Sequence, residues 1–198
     1  MENKRNKKWA ILCSGIGNNI IDIINILHHQ NTVQNNFEIS LIIYDNNEFA
    51  ALEAAKKHGI ETLEISKYSF QNSKEHQRVI CNEVLKREID FIFLLNYKYL
   101  IQKEMLDTFP NKIINIHPSL FPSFLATKTA IQDALAYGVK ITGITTHIID
   151  DEYDKGLILY QTPIKIKVSD TFESLYPKFR KKGKKIIIKT MQKVSNFL

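Results

Sequence analysis

Cysteine, proline and glycine are all scarce in this sequence, whose 198 residues contain two, five and seven of them respectively. Cys13 and Cys81 lie far apart, and neither has a second Cys or a His beside it at metal-ligand spacing. That excludes a disulfide framework and a zinc motif, and it suits a reducing cytoplasm. The low glycine and proline content excludes collagen-like and low-complexity classes. Long apolar runs are missing too, since Asn, Asp or Gly breaks each one well before the roughly 18 residues of a membrane-spanning helix. Lys4–Lys8 followed by Trp9–Cys13 imitates an export signal. Its apolar part of about five residues is shorter than the roughly 7–15 such a signal requires.

What is present is an ordinary globular balance, 44% hydrophobic and 24% charged. It predicts a single domain over residues 1–198, with a flexible basic leader over residues 1–7. Twenty-seven Lys and Arg against 21 Asp and Glu leave a net charge of +6, unevenly placed. From Lys178 to Leu198 there are eight basic residues and no acid. The plainer reading is a solvated helix face; the sharper one is a surface that attracts nucleic acid, a phosphorylated substrate or a polyglutamylated cofactor.

Short apolar runs alternate with helical patterns. Trp9–Cys13, Phe37–Tyr44, Thr62–Ile65, Asp90–Leu95 and Ile113–Ile116 read as strands buried on both faces. Asn18–His28, Asn47–His58, Ser73–Arg87 and Gln102–Phe109 have helical spacing, and Gly59 and Gly138 sit where helix C-caps want glycine. The pattern predicts an α/β fold with one doubly wound, mostly parallel sheet of Rossmann-like type. After residue 140, Ile141–Ile149 and Leu157–Lys167 read as a late, antiparallel-type strand pair joined by the acidic turn Asp150–Gly156. A C-terminal helix follows from Thr171, capped by Asp170 or Ser169.

Three places carry polar residues suited to chemistry. Ser14-Gly15-Ile16-Gly17-Asn18-Asn19 follows the first strand and opens a helix, where free N–H groups bind an anion such as phosphate. Ile20 stands where a dinucleotide fingerprint needs its third glycine, so a redox reading is disfavoured. The plain alternative is a tight turn with no ligand.

The second place is Ile113-Ile114-Asn115-Ile116-His117-Pro118. Residues i and i+2 of a strand share a face, so Asn115 and His117 are expected to project together while Ile114 and Ile116 pack. Pro118 stops the strand and puts both at its carboxyl end, the ligand-binding edge of open α/β sheets. An amide donor beside an imidazole suits attack by a neutral amine on a carbonyl. The third place is the acidic turn, preceded by His147. One of Asp150, Asp151, Glu152 and Asp154 could orient His117, and the residues alone do not select which.

Taken in order, Asn115-x-His117-Pro118-Ser119-Leu120-x-Pro122, then Gly138 to Thr142-Gly143-x-Thr145-x-His147, then Asp151-Glu152-x-Asp154-x-Gly156, resemble the folate-dependent formyltransferases. The layout is most similar to the phosphoribosylglycinamide (GAR) branch of purine biosynthesis. The resemblance implies 10-formyltetrahydrofolate as co-substrate, a primary amine as acceptor and no metal. It implies a catalytic set of Asn115, His117 and Asp154, with His147 in support, though a strand histidine satisfied by a neighbour reads the same way. It implies phosphate binding by Gly17, Asn18 and Asn19, and folate binding by Tyr97, Lys98, Tyr99, Leu100, Asp150 and Asp151. The expected partners are small molecules, with neither membrane nor nucleic acid, and a homodimer is left open.

The chain departs from that branch in several positions. Ile16-Gly17-Asn18-Asn19 replaces Asn-Gly-Ser-Asn, and Asn96-Tyr97-Lys98-Tyr99-Leu100-Ile101 replaces a Gly-Phe-Met-Arg-Ile-Leu-like stretch. A loop glycine is replaced near Leu125-Ala126, and an acidic residue of the last helix falls near Gly183-Lys184. The alternatives are formylation of a nucleotide-linked amino sugar, methionyl-tRNA formylation, hydrolysis of formyltetrahydrofolate, and non-catalytic folate or nucleotide binding. Retention of Asn115, His117 and Asp154 together disfavours the last.

Overall fold

The computed structural model describes residues 5–29, 36–150 and 156–197. They fall into two compact units, one of residues up to 114 together with 191 onward, the other of residues 115–190. The first unit begins with β1 (Lys7–Cys13), α1 (Asn18–His29), β2 (Phe37–Tyr44), α2 (Leu52–Lys57) and β3 (Glu61–Glu64). Then come α3 (Ser73–Lys86), β4 (Phe91–Leu94) and α4 (Lys103–Thr108). Strand β5 (Ile113–His117) starts in the first unit and ends in the second, which adds α5 (Ala130–Tyr137), β6 (Ile141–Ile148) and β7 (Ile158–Lys165). Helix α6 (Phe172–Phe197) closes the chain.

The strands form one sheet in the order β3-β2-β1-β4-β5-β6-β7. β1 pairs in parallel with both β2 and β4, and β2 with β3, whereas β6 and β7 are antiparallel. The mostly parallel, doubly wound sheet with its late antiparallel pair is therefore present as the residue pattern implied. β1 and β4 are buried from Trp9 to Cys13 and from Phe91 to Leu94, so both faces of these strands are covered. Trp9 is fully buried, its ring 4.9 Å from that of Phe91, and its Nε1 donates to Ser195 Oγ at 2.9 Å. In the second unit, Ile131, Ile144, Ile164, Leu175, Phe179 and Ile186 form a separate core against which Ile116 packs. No helix among the described residues is long and apolar enough to cross a membrane.

Several boundaries differ from the expected ones by a few residues, two of them for plain local reasons. α2 starts at Leu52 rather than Asn47, because the Asn46 side chain accepts from Glu48 N and its carbonyl from Phe49 N, making a turn. Asp90 lies outside β4 although its N–H bonds to Lys8 O, and its carboxylate holds Arg5 of the basic leader at 2.8 Å. Burial would raise the Asp90 carboxyl, but Arg5 and the Lys8 N–H outweigh it and hold it below its ordinary value.

Candidate functional site

The order of strands reverses between β1 and β4, and in open α/β sheets the carboxyl ends of such a strand pair flank a ligand crevice. β1 runs out into Ser14–Gly17 and β4 into Leu95–Tyr99, and the two loops interlock. Ser14 N donates to Asn96 O at 3.1 Å, and Lys98 N donates to Ser14 Oγ at 3.3 Å. A Cβ on Gly15 would stand 2.1 Å from Asn96 Nδ2, so any larger residue there requires the Asn96 side chain to move. Gly17 has φ +89°, and a Cβ there would meet the Phe49 ring at 2.5 Å. Its carbonyl accepts from Ile20 N and Ile21 N, so α1 opens immediately behind the turn. Asn18 and Asn19 are its first residues, where a helix leaves N–H groups without an intrahelical acceptor.

The expected folate segment sits beside this turn in the same unit. Leu100 is exposed, Lys98 half-exposed, and the Tyr97 and Tyr99 rings meet edge to face with centroids 5.3 Å apart. The organising group is Asp45, at the carboxyl end of β2, which sequence reasoning missed. Its buried carboxylate accepts from Tyr99 Oη and pairs with Lys98 Nζ at 3.7 Å, while Oδ1 has no hydrogen-bond partner among the described residues. The available signal was positional: an acid directly after the apolar run Ile39–Tyr44 lies on the ligand edge of the sheet. Burial, more than the Asp45 bond, pushes the Tyr99 phenol up. Burial also raises the Cys13 and Cys81 thiols to about 11, which leaves both unreactive.

In the second unit, β5 delivers Asn115 and His117 and β6 delivers Thr145 and His147. Asn115 Nδ2 lies 3.3 Å from His147 Nε2, and His147 Nδ1 lies 3.2 Å from Ile148 O. A neutral His147 satisfies both contacts at once, donating from Nδ1 and accepting at Nε2. The neighbour that satisfies this fully buried histidine is thus Asn115, whose amide is held by one N–H with the other left to donate elsewhere. His117 Nε2 lies 2.8 Å from Phe124 O, to which it donates, and this bond fixes the orientation of the ring. The Phe121 ring stands 5.3 Å from that of His117 and 4.9 Å from that of His147.

The loop after β5 is fastened by buried hydroxyls. Thr145 Oγ1 donates to Ser119 O at 2.7 Å and accepts from Phe121 N at 3.1 Å, and Gln161 Nε2 donates to Phe121 O. Phe124 and Ala126 occupy the left-handed region with φ of 53° and 55°. Ala126 is one of the two residues, with Leu125, near which the resemblance places a replaced loop glycine. A non-glycine residue there costs roughly 1–2 kcal/mol, partly offset by the about 0.4–1 kcal/mol of chain entropy that glycine forfeits on folding. Ala126→Gly is accordingly expected to stabilise the protein by up to about 1 kcal/mol, read from its denaturant midpoint.

Asp150 is exposed at the end of β6. Asp151 and Asp154 lie outside the described residues. Gly156, where the chain returns, has room for no Cβ, which would stand 1.8 Å from Ile148 O.

Comparison with known proteins points one way. Residues 7–191 match the family described as formyl transferase. A phosphoribosylglycinamide formyltransferase of Bacillus subtilis is 32% identical over 175 residues, 88% of each chain. The human trifunctional purine biosynthetic protein adenosine-3 is 28% identical over 193 residues, which are 98% of this chain but 19% of that one. Glycinamide ribonucleotide transformylase 1 of Symbiobacterium toebii superposes with a TM-score of 0.89 at 26% identity, covering 96% of this chain and 88% of its own.

Proposed function

The chain belongs to the formyl transferase family, and from that premise we propose that it moves the formyl group of 10-formyltetrahydrofolate onto the primary amine of GAR. The observation that carries this reading is the Asn115–His147 and His117–Phe124 arrangement at the carboxyl end of β5. The amine lone pair attacks the formyl carbon and the carbonyl oxygen becomes an oxyanion, which the second Asn115 N–H stabilises. His117 Nδ1 takes the proton that the attacking nitrogen loses, Asp154 orients that ring and helps carry the proton, and the carbon–N10 bond breaks with protonation of N10. The products are the formamide and tetrahydrofolate.

Gly17, Asn18 and Asn19 hold the acceptor's phosphate, with backbone N–H groups and the start of α1 supplying the positive field. The folate lies against Tyr97–Leu100, with Asp150 and Asp151 contributing from the acidic turn. Gly17→Ala would place a Cβ against Phe49 at positive φ, and so distort the phosphate cradle without touching the reacting groups. The expected result is a rise of about tenfold or more in KM for GAR, with KM for the folate nearly unchanged. Equal rises in both constants, or none, would remove the turn from phosphate binding. Parallel assays with a nucleotide-linked amino sugar as acceptor separate GAR from the alternative amine.

A further inference from the structure

A second feature, lined by none of the catalytic residues, lies wholly within residues 141–189. Strand β7 and helix α6 border a groove of about 820 Å³. Exposed Ile141 and partly buried Tyr160, with the edges of the core residues Ile164 and Ile186, give it an apolar floor, and seven lysines line it. Lys178 is committed to Asp170 at 2.7 Å, and Lys182 donates to Pro163 O at 2.6 Å. Lys165, Lys181, Lys185 and Lys189 are exposed, and none forms an ion pair among the described residues. The surface thus combines apolar area with uncompensated positive charge.

The geometry restricts what can occupy it. β7 ends the sheet, and Ile166 N bonds to Lys140 O, so by alternation Gln161, Pro163 and Lys165 turn their backbone groups to the open edge. Pro163 has no N–H to offer and its carbonyl is taken by Lys182, so the middle of that edge is closed to an added strand. Recognition must run through side chains. Lys178, Lys181, Lys182, Lys185 and Lys189 follow i, i+3, i+4, i+7 and i+11 on α6, one face over roughly 16 Å at 1.5 Å per residue. A second helix has the same rise and period, so carboxylates spaced i, i+4, i+8 stay in step with Lys181, Lys185 and Lys189 while an apolar stripe beside them covers the floor. A nucleic acid matches less well, because the lining offers lysine without arginine, one aromatic ring, and isoleucines for which a phosphate backbone has no use.

We propose that the β7–α6 groove docks an acidic amphipathic helix of a partner protein. The probe is a fluorescein-labelled peptide of alternating helical Glu and Leu faces, titrated with the full chain by fluorescence anisotropy. A sequence-scrambled peptide and a single-stranded oligonucleotide of equal charge serve as comparisons. The expected result is saturable binding of the amphipathic peptide that weakens with salt and is reduced about tenfold or more by Lys181→Glu/Lys185→Glu/Lys189→Glu. Lys56→Glu/Lys57→Glu/Lys86→Glu changes the net charge equally and is expected to leave binding nearly unchanged. Lys181→Gln/Lys185→Gln/Lys189→Gln repeats the test without reversing charge. The proposal is overturned by absence of binding, by equal loss in the two charge-reversed proteins, or by equal or tighter binding of the scrambled peptide or the oligonucleotide.

Discussion

Formyl transfer by His117→Ala protein is expected to fall by about 10²–10⁴ in kcat, with the fold intact by circular dichroism. The size follows from what the ring does. In the proposed mechanism Nδ1 takes the proton of the attacking amine, because Nε2 is committed to Phe124 O, and among the described residues the other imidazole beside Phe121 is that of His147. His147 cannot substitute, since both of its nitrogens are taken by Asn115 and Ile148. Asp154→Ala is expected to cost a similar factor. If Asp154→Ala protein kept full turnover, the catalytic carboxylate would have to be another acid of the turn. A His117→Ala protein that lost activity only by unfolding would remove the ring from the chemistry.

The second large effect concerns stability. Trp9→Ala is expected to destabilise the protein by about 3–5 kcal/mol, because it removes a fully buried indole from β1 and leaves a cavity between Phe91, Phe93 and the end of α6. It also strands the buried Ser195 hydroxyl. Trp9→Phe keeps one aromatic ring in place and loses the donor and part of the buried area, so its cost should be smaller, about 1–3 kcal/mol. Urea unfolding of both variants separates the two contributions; equal losses would mean that packing of the larger ring contributes little.

Much of this was legible in the residues. The apolar runs of β1, β2 and β4 announced themselves by composition, and the expectation that Asn115 and His117 share one face followed from strand alternation and from Pro118. Two things were not legible. The turn that delays α2 depends on the Asn46 side chain capturing Glu48 N–H, a local bond that competes with a helical pattern and leaves no periodic trace. Asp45 belongs to no sequence motif, and its role in holding Tyr99 and Lys98 exists only because β2 and β4 both flank β1, two loops brought together by the sheet. His147 lay between two readings, since a buried strand histidine and a support for Asn115 give the same pattern, and the 3.3 Å contact unites them.

The most direct test of the formyl-transfer account is to incubate the purified protein with 10-formyltetrahydrofolate and GAR and follow release of tetrahydrofolate, with His117→Ala as the background. The account predicts release that requires both GAR and His117, with formyl-GAR appearing in equal amount. Folate binding without release in the presence of GAR would contradict the assigned acceptor, and release from His117→Ala at the unmodified rate would contradict the mechanism.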